Sequence, residues 1–260
     1  MLLSQRKNQD SAASALHKVW PSLVKIAADG GGAPAAPDDC PLWCLYAPVA
    51  QGAANPAFVI GQLGQSLDGR VATATGKSRY INGPEAIRHL HRLRALVDAV
   101  VVGVGTVIAD DPQLSVREVD GPCPARVVID SHFRLPDCAR MVGDGAAPLF
   151  AIQSDSRARP EGVTPIVLPR SGGAIAPADI VAALAERGFR RILIEGGAST
   201  VSAFLAAGAL NRLHLSIAPM VIGSGPVGIN LPPIDELTSA LRPATVTHLL
   251  GEDVVFDCAF

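Results

Sequence analysis

The sequence predicts an α/β fold: a mixed, mainly parallel sheet flanked by helices on both faces. Three observations carry this. Twice, a short apolar run rich in β-branched residues meets paired glycines and passes into a helical pattern, at Asp98–Asp110 and at Arg191–Ala207. Between them, a helix over Pro177–Arg187 closes at Gly188 and feeds the strand Arg191–Ile194 in the βαβ manner. Near the end, Asn211–Ala218, Thr245–Leu250 and Val254–Phe260 alternate as half-buried strands, the last two forming a hairpin around 251–253.

Taken in order, Leu16, Val19, Leu23 and Ile26 recur at helical spacing within Ser11–Ala28, a helix that packs on the body or on a partner. Asp29–Pro37 is a glycine- and proline-rich linker. Cys40–Val49 is apolar but gives no assignment, and the main domain begins near Asn55, which leaves residues 1–55 as an arm and linker and 56–260 as the domain. Ala57–Leu63 reads as a strand, Gly64 as a place where a ligand approaches its end, and Asp68-Gly69 as a turn. A helix starts with Pro84 at its first position and Asn82 as its cap. Its Ala86, Ile87, Leu90, Leu93 and Val97 share a stripe, Arg88 and Arg92 lie opposite, and His89 and His91 point to different sides as solvated residues. Ala125–Asp130, Pro148–Ile152 and Thr164–Leu168 are short strands.

Composition bounds the function. With 260 residues, 48% hydrophobic and 18% charged, the chain buries a sizeable core. A net charge of −2 gives no broad attraction to nucleic acid or to an anionic membrane. The longest apolar-plus-glycine stretch is too short to span a bilayer and Met1–Asp10 lacks a signal-peptide core, so the expectation is a cytoplasmic protein. Five scattered cysteines lack the spacing of a disulfide framework, and Cys40 and Cys44 have no histidine or second pair at metal-ligand distance, so no metal is expected.

The two glycine corners carry the chemistry. Gly103 and Gly105 with Thr106, and Gly196 and Gly197 with Ser199 and Thr200, combine tight turns with hydroxyls and free helix amides, which suits a phosphate or pyrophosphate. Either is also compatible with a plain strand-to-helix corner. Neither is Gly-x-Gly-x-x-Gly, which disfavours a Rossmann domain. Arg94 breaks the amphipathic pattern by falling inside the apolar stripe, so its guanidinium either snorkels or faces a ligand anion. Arg117, two residues after Ser115 on an alternating segment, is a second arginine for bidentate phosphate binding.

The motifs Ser66–Arg70, Gly76–Ile81, His91–Ala95, Val102–Arg117, Ile129–Ser131 and Ile194–Gly197 closely resemble the pyrimidine reductase family of riboflavin biosynthesis, over Phe58–Phe260. The resemblance implies a dihydrofolate-reductase-like fold, a homodimer, and NADPH-dependent reduction of a phosphoribosylamino-pyrimidine to its ribitylamino form. It implies substrate contacts at Ser78, Arg94, Leu114, Arg117 and Glu195, with Glu195 the candidate catalytic residue. It places NADPH against Gly64, Tyr80, Thr106, Asp110, Ser131 and the turn Gly197, Ala198, Ser199, Thr200, Val201, Ser202 and Ala203. Tyr80 stands where relatives commonly carry tryptophan, and Asn82 where they often carry threonine or serine. Neither His-x-Glu nor Pro-Cys-x-x-Cys occurs, so zinc-assisted deamination is not expected. Asp68 either assists proton movement or serves its turn, and the turn role is preferred. A same-fold reductase of a pterin or another small carbonyl substrate, and a non-catalytic nucleotide-binding relative, are the alternatives.

Overall fold

A computed structural model describes residues 2–30, 36–37, 40–52 and 56–260. Its core is a nine-stranded sheet built from β1 (Phe58–Ser66), β2 (Ala99–Gly103), β3 (Ala125–Ile129), β4 (Leu149–Gln153), β5 (Val163–Val167), β6 (Arg191–Glu195), β7 (Arg212–Ala218), β8 (Ala244–Leu250) and β9 (Asp253–Ala259). The spatial order is β5-β4-β3-β2-β6-β1-β7-β9-β8. Neighbours from β5 through β7 pair in parallel, and β9 runs antiparallel to both β7 and β8. This is the mixed, mainly parallel class that the sequence predicts.

Alternation along the central strands feeds two cores. Val100 and Val102 of β2 with Leu193 of β6 face one side, where α1 (Leu2–Asp29), α2 (Trp43–Gln51), α3 (Pro84–Leu96) and α4 (Val104–Asp110) pack. Ala99, Val101, Ile192 and Ile194 face the other, against α5 (Pro177–Glu186) and α6 (Ala198–Ala206). Insertion of β6 between β2 and β1, with Ala99 opposite Ile192 and Gln62 opposite Glu195, brings the carboxyl ends of these three strands side by side.

Several elements differ from expectation. Residues 31–35 of the linker and the 53–55 boundary lie outside the described residues. The N-terminal segment packs on the body: Leu16 and Leu23 are fully buried, and Trp20 donates its indole N–H to the Asp120 carbonyl at 2.7 Å. The unassigned Cys40–Val49 stretch contributes α2, whose Leu45, Tyr46 and Val49 reach the core. Asn82 does not cap α3. Gly83 is the N-cap residue, and its N–H donates to the Asp253 carboxylate at 2.7 Å, so a tertiary contact replaces the local cap.

His89 and His91 are not solvated; they are 0% and 1% exposed. The Tyr46 hydroxyl lies 2.9 Å from His89 Nδ1, and His89 Nε2 lies 3.2 Å from His214 Nδ1, so α2 and β7 together cover that helix face. His91 Nδ1 accepts the Arg117 N–H at 3.1 Å. Docking of an N-terminal helix pair onto α3 is what the helical periodicity alone did not reveal.

Candidate active site

The carboxyl ends of β1, β2, β3 and β6 open into a cleft of about 820 Å³. Both glycine corners line it, and they touch. A β-carbon on Gly103 would stand 2.6 Å from Thr200 Oγ1, and one on Gly197 would stand 2.7 Å from Thr106 Oγ1. Each corner's threonine therefore occupies the space that the other's glycine leaves. Gly196 and Gly197 have φ of 67° and 51°, which glycine adopts without the steric cost borne by other residues. Gly105 also lines the cleft, yet nothing lies within 4 Å of where its β-carbon would be, so packing does not demand glycine there. A backbone left bare beside open space fits a ligand that comes close to it.

At the β6 corner, Thr200 and Val201 already donate their N–H groups to the Gly197 carbonyl, at 2.9 and 3.2 Å. Further along, α6 uses its amides internally. Accordingly Gly197, Ala198, Ser199 and Thr200 line the cleft, whereas three expected cofactor residues do not. Val201 is fully buried, Ser202 is buried with its hydroxyl accepting from the Asn230 amide at 2.9 Å, and Ala203 is exposed outside the lining.

Gly64, Tyr80, Thr106, Asp110 and Ser131 all line the cleft, as does Ser78, whose hydroxyl donates to Asp110 Oδ1 at 3.1 Å. Tyr80 is 83% exposed at φ 67°, a sparsely populated conformation for a bulky residue and one that clusters at functional sites. Gly64 has a different reason from the one expected. Its missing β-carbon leaves room for Asn82, whose Oδ1 would lie 1.9 Å from it, and the Asn82 amide donates to the Ser216 carbonyl at 3.3 Å.

Of the remaining substrate candidates, Arg94 and Glu195 are brought together, whereas Leu114 and Arg117 do not join them. Arg94 follows Ala86, Ile87 and Leu90 on the cleft-facing stripe of α3, as the periodicity predicts, but its guanidinium is occupied. It pairs bidentately with Glu195, its Nε 2.8 Å from Oε2, and Nη1 donates to the Ser115 carbonyl at 2.9 Å. Glu195 directly precedes Gly196 of the cleft wall. Leu114 is 1% exposed at φ 55° and packs in the core. Arg117 lies with Arg88 and Arg92 around a second cavity on the opposite face of α3. Without a ligand, Arg94 is paired with Glu195, and Arg117 lines the second cavity with Arg88 and Arg92.

Asp68 takes the turn role. It accepts hydrogen bonds from Ser66 Oγ and from the amides of Ile222 and Gly223, which hold its carboxyl down at about 2. Sequence reasoning missed Arg134 and His132, which line the cleft beside Ser131. They sit on a braced loop: buried Asp130 accepts the Arg134 and Leu135 amides at 2.8 and 2.9 Å and pairs with Arg159 at 2.7 Å. An aspartate ending an apolar strand before Ser-His-x-Arg was the available signal. Among the described residues, no cluster of His, Cys, Asp or Glu suits a metal ion, and no helix is long and apolar enough to cross a membrane.

Parallel strands whose carboxyl ends form a glycine-walled cleft define an α/β protein built to hold a small-molecule ligand at that sheet end. The particular family follows from comparison: the chain belongs to the RibD C-terminal domain family, whose profile matches residues 57–256. The 2,5-diamino-6-ribosylamino-4(3H)-pyrimidinone 5′-phosphate reductase of Methanothermobacter thermautotrophicus is 34% identical over 77% of this chain and 96% of its own length. The riboflavin biosynthesis protein RibD of Escherichia coli is 36% identical over 73% of this chain, and the chain spans 59% of that protein. The structure of RibD from Acinetobacter baumannii superposes with a TM-score of 0.68 at 26% identity, covering 84% of this chain and 61% of that one.

Proposed function

We propose that this chain is an NADPH-dependent reductase of a phosphoribosylamino-pyrimidine in riboflavin biosynthesis. The observation that carries the reading is the interlocked pair of glycine corners, Gly103–Thr106 against Gly197–Thr200, in a cleft belonging to a family whose relatives are named as reductases of such a substrate. Bound there, NADPH supplies a hydride. The bare turns and first α6 amides would hold its pyrophosphate, and Arg134 and His132 at the end of β3 would meet the 2′-phosphate that distinguishes NADPH from NADH.

For the substrate, the ribose would open to an imine, and a hydride added at its carbon with a proton at its nitrogen would give the ribitylamino product. Ser78, fixed by Asp110, lines the cleft, and the buried Arg94–Glu195 pair lies directly behind Gly196 of its wall. Glu195 orients sugar hydroxyls and stabilises the protonated imine, and the protein's main contribution is to hold donor and acceptor at reacting distance. The reading implies a cytoplasmic homodimer; exposed Val246 and Leu249 on the edge strand β8 support self-association.

The test follows NADPH absorbance with 5-amino-6-(5-phosphoribosylamino)uracil, its 2,5-diamino-pyrimidinone counterpart and dihydrofolate. Oxidation with either phosphoribosyl compound and not with dihydrofolate is expected. Oxidation with dihydrofolate alone, or with none while NADPH still binds, would overturn it.

A further inference from the structure

Ser131, His132 and Arg134 line the cleft, and Phe133 between them does not. Its ring joins neither apolar core of the sheet. It lies instead under two guanidiniums, those of Arg157 at 4.1 Å and Arg159 at 4.5 Å from the ring centre. An aromatic face attracts cations through its quadrupole, so this half-buried ring is fixed by charge rather than by apolar burial. Phe133 also has φ 57°, in the left-handed region where a bulky residue is strained and glycine is not. The contacts with the two arginines are what offset that strain.

Arg157 and Arg159 belong to the connection between β4 and β5, which grips the loop from behind. Where the loop leaves β3, Ser154 donates its hydroxyl to the Ser131 carbonyl at 3.2 Å and Arg159 pairs with Asp130 at 2.7 Å. Phe133 extends that grip to the middle of the loop. The connection is itself rigid: fully buried Gln153 donates to the Asp155 and Arg157 carbonyls, both at 2.7 Å, and the Asp155 carboxylate accepts the Arg157 N–H at 2.9 Å. Neither Arg157 nor Arg159 lines the cleft. Their hold on the cleft wall passes through Phe133, whose immediate neighbours in the chain are His132 and Arg134.

We propose that Phe133 is a positioning residue for dinucleotide selectivity. Stacked on Arg157 and Arg159, it sets the backbone on either side of itself and so aims His132 and Arg134 into the cleft, at the 2′-phosphate. This role rests on the reading of the cleft as an NADPH site. It gives the choice between NADPH and NADH to a contact behind the cleft wall, made by side chains that touch no ligand.

The full chain and its variants are titrated with NADPH and with NADH by fluorescence, beside thermal unfolding. Phe133→Gly removes the ring and relieves the positive φ without altering charge. NADPH affinity is expected to fall about tenfold, the worth of one hydrogen bond to a charged group, while NADH affinity and the melting temperature hold. Phe133→Tyr, which keeps the aromatic face, retains the parent's preference for NADPH. Arg157 is exposed, so Arg157→Met reports even where Phe133→Gly disturbs folding, and a severalfold loss of that preference is expected. Unchanged selectivity in either Phe133→Gly or Arg157→Met, or equal loss of both dinucleotides, would overturn the positioning role and leave the NADPH reading standing. A parent chain that binds the two dinucleotides alike would overturn that reading as well.

Discussion

Thr106 Oγ1 stands 2.7 Å from the point where Gly197 would carry a β-carbon, so the first glycine corner is packed directly into the second. The two turns form one wall. Gly197→Ala is expected to cost about 1–3 kcal/mol, through a positive φ and displacement of Thr106, and to weaken NADPH binding. Gly105→Ala isolates the ligand: with open space at its β-carbon, thermal stability is held or raised while NADPH affinity falls severalfold. Melting curves and NADPH fluorescence titrations on both variants check this pair. Equal affinity in Gly105→Ala and the parent would argue that no ligand approaches that backbone.

The Arg94–Glu195 pair has side chains 6% and 9% exposed. Removing one partner leaves the other charge buried, so Arg94→Met or Glu195→Leu alone should destabilise by about 3–5 kcal/mol. The double variant should recover most of that stability and none of the turnover, because the substrate loses both groups. Urea unfolding beside NADPH-oxidation rates forms the cycle; recovery of turnover in the double variant would mean the pair is purely structural.

Acid should unfold the protein early. Burial, first among the causes, lowers the pKa of His89, His214 and His248, and holds His91 at about 4. Below about 6.5 the unfolded chain takes up protons that these native histidines refuse, so stability falls as pH drops, for His91 by up to about 1.4 kcal/mol per pH unit down to about 4. Denaturant midpoints across that range should be steeper in the parent than in His91→Asn. Parallel profiles would show that His91 does not contribute.

Arg134 lies in the cleft with His132 and Ser131. Its loss should weaken NADPH about tenfold, the value of one hydrogen bond to a charged group, and leave NADH affinity unaltered. Equal weakening of both dinucleotides would move the 2′-phosphate elsewhere.

Much of this was legible in the chain. The β2 and β6 corners were visible because buried parallel strands leave unbroken β-branched runs and a turn of positive φ requires glycine. Arg94 was visible as a periodicity violation, and its inward direction is what the structure has. Its partner was not, because Glu195 lies 101 positions away and meets it only when β6 inserts beside β2. His89 and His91 read as solvated for the same reason: the cover comes from α2 and β7, and local spacing carries no trace of elements docked from afar. Arg117 is a substrate contact by resemblance, and in the structure it lines a second cavity with Arg88 and Arg92.

The most direct measurement is a crystal structure of this chain grown with NADPH. The account predicts the pyrophosphate against the backbone of Gly105 and Ala198, the 2′-phosphate beside Arg134, and the nicotinamide toward Asn82 and Gln62. Density for the dinucleotide anywhere outside this cleft, or with its phosphates turned away from both glycine corners, would contradict it.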